Sequence, residues 1–222
     1  MTTISVLIPC IEKHIQFLGR CIKSIREQTL LPSEVVISIS NITEKNDSYP
    51  NTRIAVEKLI GKYRDKLDII IYYTSDIKYA GQNRNICVGL STGDIISFID
   101  ADDVMYSNRL NILDTIFRVC PKCIGILHYF TENAALGMEP DQTYEDNKIW
   151  DYTFSELIHY GHPSFRRKIF NKYKYSDAHR TQDFGFIETI IPEYREQLLV
   201  YRHPLTCYYS NDSTFFCNNM PC

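Results

Sequence analysis

Several features are missing from these 222 residues, and each absence closes off a class of protein. There is one tryptophan, and no apolar run approaches the ~20 residues that a membrane-spanning helix requires. The first residues lack a basic segment followed by an apolar one, so Ile4 to Pro9 predicts a strand and not a secretory signal. Lysine and arginine number 24 against 27 acidic residues, a net charge of −3, which leaves no basic field for nucleic acid. Neither G-x-G-x-x-G nor a P-loop follows the first predicted strand, where the residues are Pro9-Cys10-Ile11-Glu12-Lys13-His14. No internal repeat or low-complexity stretch is present. Together these absences point to a cytoplasmic globular protein whose eight cysteines are reduced thiols. Cys10, Cys21 and Cys87 lie among apolar residues and are assigned to the core. Cys120-Pro121-Lys122-Cys123 is a lone C-x-x-C. A structural zinc site wants four ligands, so two unrelated thiols are the alternative. Asn41-Ile42-Thr43 and Asn211-Asp212-Ser213 match the N-glycosylation acceptor pattern, which has no meaning in the cytoplasm.

What is present is an ordinary globular balance, 44% hydrophobic and 23% charged, in a chain long enough to bury one core. Ile4 to Ile8 reads as a strand ended by Pro9. Leu18, Cys21, Ile22 and Ile25 recur on one helical face, which predicts a helix from Ile15 to Gln28. Glu34 to Ser40 is a second strand, rich in β-branched residues. Asn41 to Asn51 is polar and reads as a loop. Ile54, Ala55, Leu59, Ile60 and Tyr63 mark a second helix, Leu67 to Tyr73 a third strand, and Gly81 to Leu90 a third helix. Asp94 to Ile99 is a fourth strand. This alternation predicts an α/β fold with a mixed, mostly parallel sheet covered on both faces. Ligands in such sheets bind beyond the carboxyl ends of the strands, here Pro9, Ser40 and Asp100.

The fourth strand delivers Asp100, Asp102 and Asp103 to that edge. Carboxylates this close resist joint ionisation, which calls for a cation, and hard oxygen ligands suit Mg²⁺ or Mn²⁺. An acidic loop opening the next helix is the alternative.

Further along, Leu110, Leu113 and Phe117 line a fourth helix and Cys123 to Phe130 is a strand. Thr131 to Trp150 reads as a polar loop. Gly161-His162-Pro163-Ser164 is a turn. Phe165 to Arg180 is basic, a solvated surface or one that meets an anionic acceptor or a membrane. Gln182 to Ile190 is a helix, Leu198 to Tyr201 a short strand, and Ser210 to Cys222 a loose tail.

Taken in order, Ser5-Val6-Leu7-Ile8-Pro9, Ser24 to Gln28, Glu34 to Ile37, Gly81-Gln82-Asn83-Arg84-Asn85 and Thr92 to Asp103 form a series that resembles the family 2 glycosyltransferases of GT-A fold. The likeness runs directly from residue 4 to 110, and more weakly to Asp183. It implies a single GT-A domain over 1–222, with a nucleotide-sugar half over about 1–110, an acceptor half over about 111–210 and a tail over 211–222. It also implies inverting transfer of a hexosyl or N-acetylhexosaminyl group from a UDP- or GDP-sugar to a hydroxyl acceptor, with Mn²⁺ or Mg²⁺ on the donor's diphosphate. The acceptor, whether glycan, lipid-linked or protein, is left open, and peripheral membrane contact is compatible with it.

By that resemblance Asp102 is the direct metal ligand, Asp100 a second ligand or a support on the donor side, and Asp103 a brace for the loop or a cap for the next helix. Arg84 reaches phosphate or holds the acidic loop, and Asn85 is a structural hydrogen-bonder. Pro9, Cys10 and Glu12 border the nucleotide. Ser40 or Asn41 stands where the family usually places an aspartate that reads the base. Asp183, in Thr181-Gln182-Asp183-Phe184, is the candidate base, with Asp177 and Glu188 behind it. His162 and His203 are candidates for the acceptor pocket or the phosphates. Two alternatives stay open: a sugar-phosphate nucleotidyltransferase, which usually carries a glycine-rich first loop, and a catalytically silent GT-A module.

Overall fold

The computed structural model describes residues 2–42, 48–132 and 145–209. Its elements in order are β1 (Ile4–Ile11), α1 (Ile15–Arg26), β2 (Glu34–Ser40), α2 (Ser48–Gly61), β3 (Ile69–Tyr73), α3 (Ala80–Leu90) and β4 (Ile95–Phe98). There follow β5 (Val104–Met105), α4 (Arg109–Val119), β6 (Gly125–Glu132), β7 (Ile149–Asp151), β8 (Ser164–Arg166), α5 (Gln182–Tyr194) and β9 (Leu198–Tyr208). They build one sheet in the order β3-β2-β1-β4-β8-β6-β9-β5, with β7 also paired to β9. The first four strands of that order run parallel, and the short β8 turns the sheet antiparallel between β4 and β6.

Alternation along the buried strands sends side chains to two cores. Val6, Ile8, Val35 and Ile37 meet Leu18, Ile22 and Ile25 of α1, Val56 and Ile60 of α2, and Leu113 and Ile116 of α4. Leu7, Val36, Ile96 and Phe98 face the other way, onto Cys87 of α3 and Phe186, Ile187 and Ile190 of α5. The predicted doubly covered, mostly parallel sheet is therefore present, and its carboxyl edge is where Pro9, Ser40 and Asp100 emerge.

Differences from the sequence reading have local causes. The helix expected after Asn51 begins at Ser48, inside the stretch assigned to a loop. Pro192 does not stop α5, which runs on to Tyr194, because a proline in the last turn removes only one backbone donor. The strand expected to end at Tyr201 continues to Tyr208, with Pro204 seated where the β6 register shifts, a place that tolerates its missing N–H. The basic stretch is not simply a solvated surface or an anion-binding one. Arg166 donates to the Cys123 and Phe117 carbonyls, and Arg167 to the Gly93 and Val88 carbonyls and the Ser91 hydroxyl, while Lys168, Lys172, Lys174 and Arg180 are exposed. The six described cysteines are free thiols. Cys123 is buried, its thiol pushed up to about 12 by burial, and no group of three or more potential metal ligands surrounds it among the described residues. Thr43, most of the Thr131 to Trp150 stretch, and the tail with Asn211-Asp212-Ser213 lie outside the described residues. Among the described residues no helix is long and apolar enough to cross a membrane.

At the opposite edge of the sheet, one buried carboxylate joins three segments. Glu34 accepts from the Ser5 hydroxyl at 2.6 Å, from the Thr92 backbone and hydroxyl, and from the Gly93 N–H at 3.3 Å. Burial pushes this carboxyl up, but the hydrogen bonds from Ser5, Thr92 and Gly93 outweigh it and hold the group below its ordinary range. Its contribution to stability is present above the unfolded-state value and lost as pH falls through the lowered folded-state value. Glu34→Ala is expected to lower unfolding free energy by about 1–3 kcal/mol, because it orphans buried donors, and to flatten the acid limb of the stability profile in denaturant titrations.

Candidate active site

A cavity of about 380 Å³ opens at the carboxyl ends of β1, β2 and β4. Pro9, Cys10, His14, Asn41, Lys78, Tyr79, Arg84, Asp100, Asp102, Asp103, His179, Gln182, Asp183 and Tyr208 are on its wall. Segments far apart in sequence thus meet at one edge, as parallel topology requires.

Arg84 ties them together. It lies one turn into α3 and is 1% exposed. Nη1 donates to Gln182 Oε1 at 2.8 Å, while Nη2 donates to Asp100 Oδ1 at 2.8 Å and to the Gly161 carbonyl at 3.2 Å. The guanidinium also stands over the Tyr175 ring at 5.5 Å. Burial opposes its charge, but Asp100 above all, then Tyr175 and Asp183, hold it protonated. Gly81 permits this approach, since a side chain there would strike the Ser176 carbonyl. Asn85 exchanges two hydrogen bonds with the Tyr175 backbone, which fixes the same junction. Arg84 thus holds the acidic loop through Asp100 and also lines the cavity.

The acidic loop is fixed through its backbone. Arg20 of α1 donates to the Asp102 carbonyl, the Asp103 N–H donates to the Asp100 carbonyl at 3.1 Å, and Asp103 Oδ1 accepts the Tyr209 N–H at 2.9 Å. Strand β5 then pairs with β9. The carboxylates cannot move apart easily. Burial first, then Asp103 and Asp100, pushes Asp102 up to about 6. Burial first, then Asp100, pushes Asp103 up to about 7. Asp103 braces the loop and does not cap α4, whose N-cap is Asn108.

Beneath Asp103 lies His162, fully buried, with Nε2 2.9 Å from Asp103 Oδ2 and 3.7 Å from Asp100 Oδ2. Burial holds this imidazole well below its usual range. Its Nδ1 meets the Thr206 hydroxyl at 3.1 Å. Neither Asp103 Oδ2 nor His162 Nε2 has a hydrogen-bond partner among the described residues. His159 stacks on His162 with ring centroids 3.8 Å apart and planes at 20°. Asp100, Asp103, His159 and His162 thus converge, with potential ligand atoms within 4.8 Å of one another. An ion in the plane of one stacked imidazole lies outside the plane of the other, so the two rings as placed do not share an ion. The hard oxygens of Asp100 and Asp102 do face the cavity, and those donors fit Mg²⁺ or Mn²⁺.

Other sequence-predicted residues fall into two groups. Pro9, Cys10 and Asp183 reach the cavity, Asp183 at the start of α5. Cys10 is a buried thiol pushed far up by burial, a wall atom and not a reactive one. Ser40 does not reach it: the hydroxyl is buried, accepts from Asn83 Nδ2 at 2.8 Å and donates to the Lys78 carbonyl at 3.4 Å. Its neighbour Asn41 takes the wall position, with φ of 60° and Oδ1 accepting the Lys78 N–H at 2.7 Å. Glu12 turns toward Thr52 of α2. His162 is behind the wall, and His203 lies on β9 near Tyr201, off the wall. Asp177 and Glu188 are also off it. Sequence reasoning missed His14, whose Nδ1 is 3.9 Å from Asp102 Oδ2, and the edge-on pair Tyr79 and His179 at 4.8 Å. It also missed His159 and Tyr208.

Comparison with known proteins gives a consistent result. Residues 5–174 match the glycosyl transferase family 2 profile. An uncharacterized glycosyltransferase of Methanocaldococcus jannaschii is 28% identical over an alignment covering 90% of this chain and 71% of that protein. Crystal structures of S. aureus TarS share the fold, with a TM-score of 0.68 at 15% identity for residues 1–349, covering 93% of this chain. The same TarS fragment in complex with UDP scores 0.68, covering 94% of this chain, and in complex with UDP-GlcNAc 0.65 at 13% identity, covering 95%. This chain spans about 60% of those TarS structures.

Two measurements follow from the geometry. Arg84→Ala leaves Asp100, Gln182 and the Gly161 carbonyl without their donor, and is expected to cost about 3 kcal/mol in chemical denaturation, at the low end for a buried pair because Asp100 is partly exposed. Asp102 and Asp103 hold protons in the folded state at pH values where the unfolded chain has released them. Metal-free stability is therefore lost as pH rises from near 4 through about 7. Asp103→Asn removes part of that loss, so the melting-temperature difference between variant and wild type should grow in the variant's favour across this range.

Proposed function

Since the chain belongs to glycosyl transferase family 2, we propose that it transfers a sugar, with inversion, from a nucleotide-diphosphate sugar to an acceptor hydroxyl, with a divalent metal. The observation that carries this is the single cavity with Asp100 and Asp102 on one wall and Asp183 on another, bridged by Arg84. In this reading Asn41, Pro9 and Cys10 border the nucleotide. Asn41 takes the part proposed for Ser40, whose hydroxyl is already engaged. The UDP and UDP-GlcNAc held by the TarS crystals support a uridine diphosphate donor.

Asp102 and Asp100 would hold the metal, which when bound supplies Lewis-acid stabilisation of charge on the departing diphosphate. Asp183 takes the proton of the acceptor hydroxyl as its oxygen attacks the anomeric carbon on the face opposite the leaving group. It suits the role because it lines the cavity and makes no ion pair among the described residues. Arg84 orients rather than reacts: it fixes Asp100 and the start of α5 in one frame, so the donor and the base keep their separation.

Two substitutions test the assignment. With wild type, UDP plus Mn²⁺ is expected to raise the melting temperature by linkage, and Asp102→Asn should abolish the metal-dependent part. Asp183→Asn should keep the full UDP shift while release of UDP from a UDP-sugar in the presence of acceptor drops by about 10²–10⁴-fold. Undiminished turnover in Asp183→Asn would remove it as the base. Turnover of no nucleotide sugar by wild type would leave the silent binding module as the better account.

A further inference from the structure

Beyond the donor cavity, three aromatic rings gather on the acceptor side. Phe154 stacks on Tyr160 with centroids 6.1 Å apart and planes at 19°. Phe184 meets both rings edge-on, at 6.0 Å from Phe154 and 5.2 Å from Tyr160. Phe154 is nevertheless 64% exposed and nearby Leu157 is 55% exposed. A phenyl ring left this open forgoes much of the stabilisation its burial would contribute, although it is already oriented by two neighbours.

The position of the cluster is informative. Phe184 directly follows Asp183, which lines the cavity. Tyr160 directly precedes Gly161, whose carbonyl takes the Arg84 bond and whose α-carbon is packed against Asp100, leaving a Cβ there only 2.9 Å from Asp100 Oδ2. The rings are thus tied to the site on two sides: Phe184 is next in sequence to the wall residue Asp183, and Tyr160 is next to Gly161, which packs against the wall residues Asp100 and Arg84. The chemistry around them is equally specific. The segment Asp151-Tyr152-Thr153-Phe154-Ser155-Glu156-Leu157 has no lysine or arginine, and its Asp151, Thr153 and Glu156 are exposed.

We propose that this patch is an acceptor subsite for a neutral carbohydrate, with a pyranose ring stacked on Phe154; the proposal rests on the glycosyltransferase reading above. A sugar ring offers an apolar C–H face to an aromatic platform and hydroxyl donors to carboxylates and hydroxyls at its rim. Thr153 and Glu156 supply that rim. Within residues 151–157 the charged side chains are the exposed Asp151 and Glu156, so an acceptor bearing phosphates, or an anionic lipid surface, would meet negative charge from the segment itself.

The test uses the intact chain and two independent readouts. Saturation-transfer NMR measures binding of chitotetraose, cellotetraose and maltotetraose, with vesicles of phosphatidylglycerol and a polyol-phosphate oligomer as anionic probes. Thermal shift with UDP and Mn²⁺ reports the donor site separately. At least one neutral tetrasaccharide is expected to bind, to weaken about tenfold or more in Phe154→Ala, and to recover in Phe154→Tyr, while the UDP shift stays the same in all three proteins. Phe154 is exposed, so its truncation should leave folding intact, and the unchanged UDP shift verifies this. The proposal is overturned if no neutral tetrasaccharide binds, if binding is indifferent to Phe154→Ala, or if only the anionic probes bind. Loss of the UDP shift in wild type would instead overturn the donor assignment, because sugar binding is measured without nucleotide as well.

Discussion

The Arg84 guanidinium is buried where an unanswered charge would be costly, and this constrains everything around it. Its planar fork takes one oxygen from the loop after β4, one from the segment before β8 and one from the start of α5. The first and last of those segments line the cavity and the middle one packs behind Asp100, and none is near the others in sequence. A lysine could not span them, because a single ammonium does not present donors in fixed divergent directions. Residue 182 is a neutral glutamine, so of the three oxygens only Asp100 answers the charge. A glutamate at 182 would divide Arg84 between two carboxylates and leave Asp100 freer. The bridge as built therefore favours a tightly held Asp100 at the donor wall.

The neighbouring acids are treated differently. Asp100 has Arg84, whereas Asp102 and Asp103 are buried among like charges and are pushed up to about 6 and about 7. The loop cannot relax this repulsion, because Arg20, the Asp103 turn and the Tyr209 bond hold its backbone. His162, kept neutral by burial, lies 2.9 Å from Asp103 from below, and the Tyr209 N–H donates to its other oxygen. That leaves Asp102, on the cavity side, as the one of these three acids with the most distant ion-pair partner, His14 at 3.9 Å. A rigid site whose open carboxylate lacks a close cation is the arrangement that favours a cation arriving with its ligand.

Much of the first half was legible in the sequence because it obeys simple periods. β-Branched strands such as Val35-Val36-Ile37 and the 3.6-residue recurrence of Leu18, Ile22 and Ile25 define the parallel sheet and its helices without tertiary information. The short strands were not legible. β5 has Val104 and Met105 alone, and β8 has Ser164 to Arg166; both exist because a neighbour supplies the pairing. Arg166 and Arg167 looked like surface charge because composition cannot reveal that carbonyl oxygens wait for them. The same limit applied at the site. Asp102, Asp100 and Asp183 lie in recognisable segments, but Ser40 and Asn41 differ by one residue, and only the positive φ of Asn41 decides which of them faces the cavity. His14, Tyr79, His159 and His179 belong to no periodic pattern, so three-dimensional proximity alone identifies them.

The two sides of the cavity differ in a way that bears on their tasks. The proposed donor side is made of strand ends whose polar groups are buried and mutually bonded, as in the Ser38, Ser40 and Asn83 cluster. Such a network costs much to rearrange, which suits the proposed recognition of one invariant ligand moiety. The proposed acceptor side is made of the segment 151–160 and the first turn of α5, where Phe154 and Leu157 are exposed while Tyr152 and Ile158 are buried and the backbone pairs with β9 and β6. Substitutions at exposed positions such as Phe154 and Leu157 disturb few buried partners, so that surface can change while the parallel core and the Arg84 bridge stay fixed. The fold was therefore the readable part of this sequence. The proposed acceptor surface rests on exposed side chains whose meaning depends on what stands beside them.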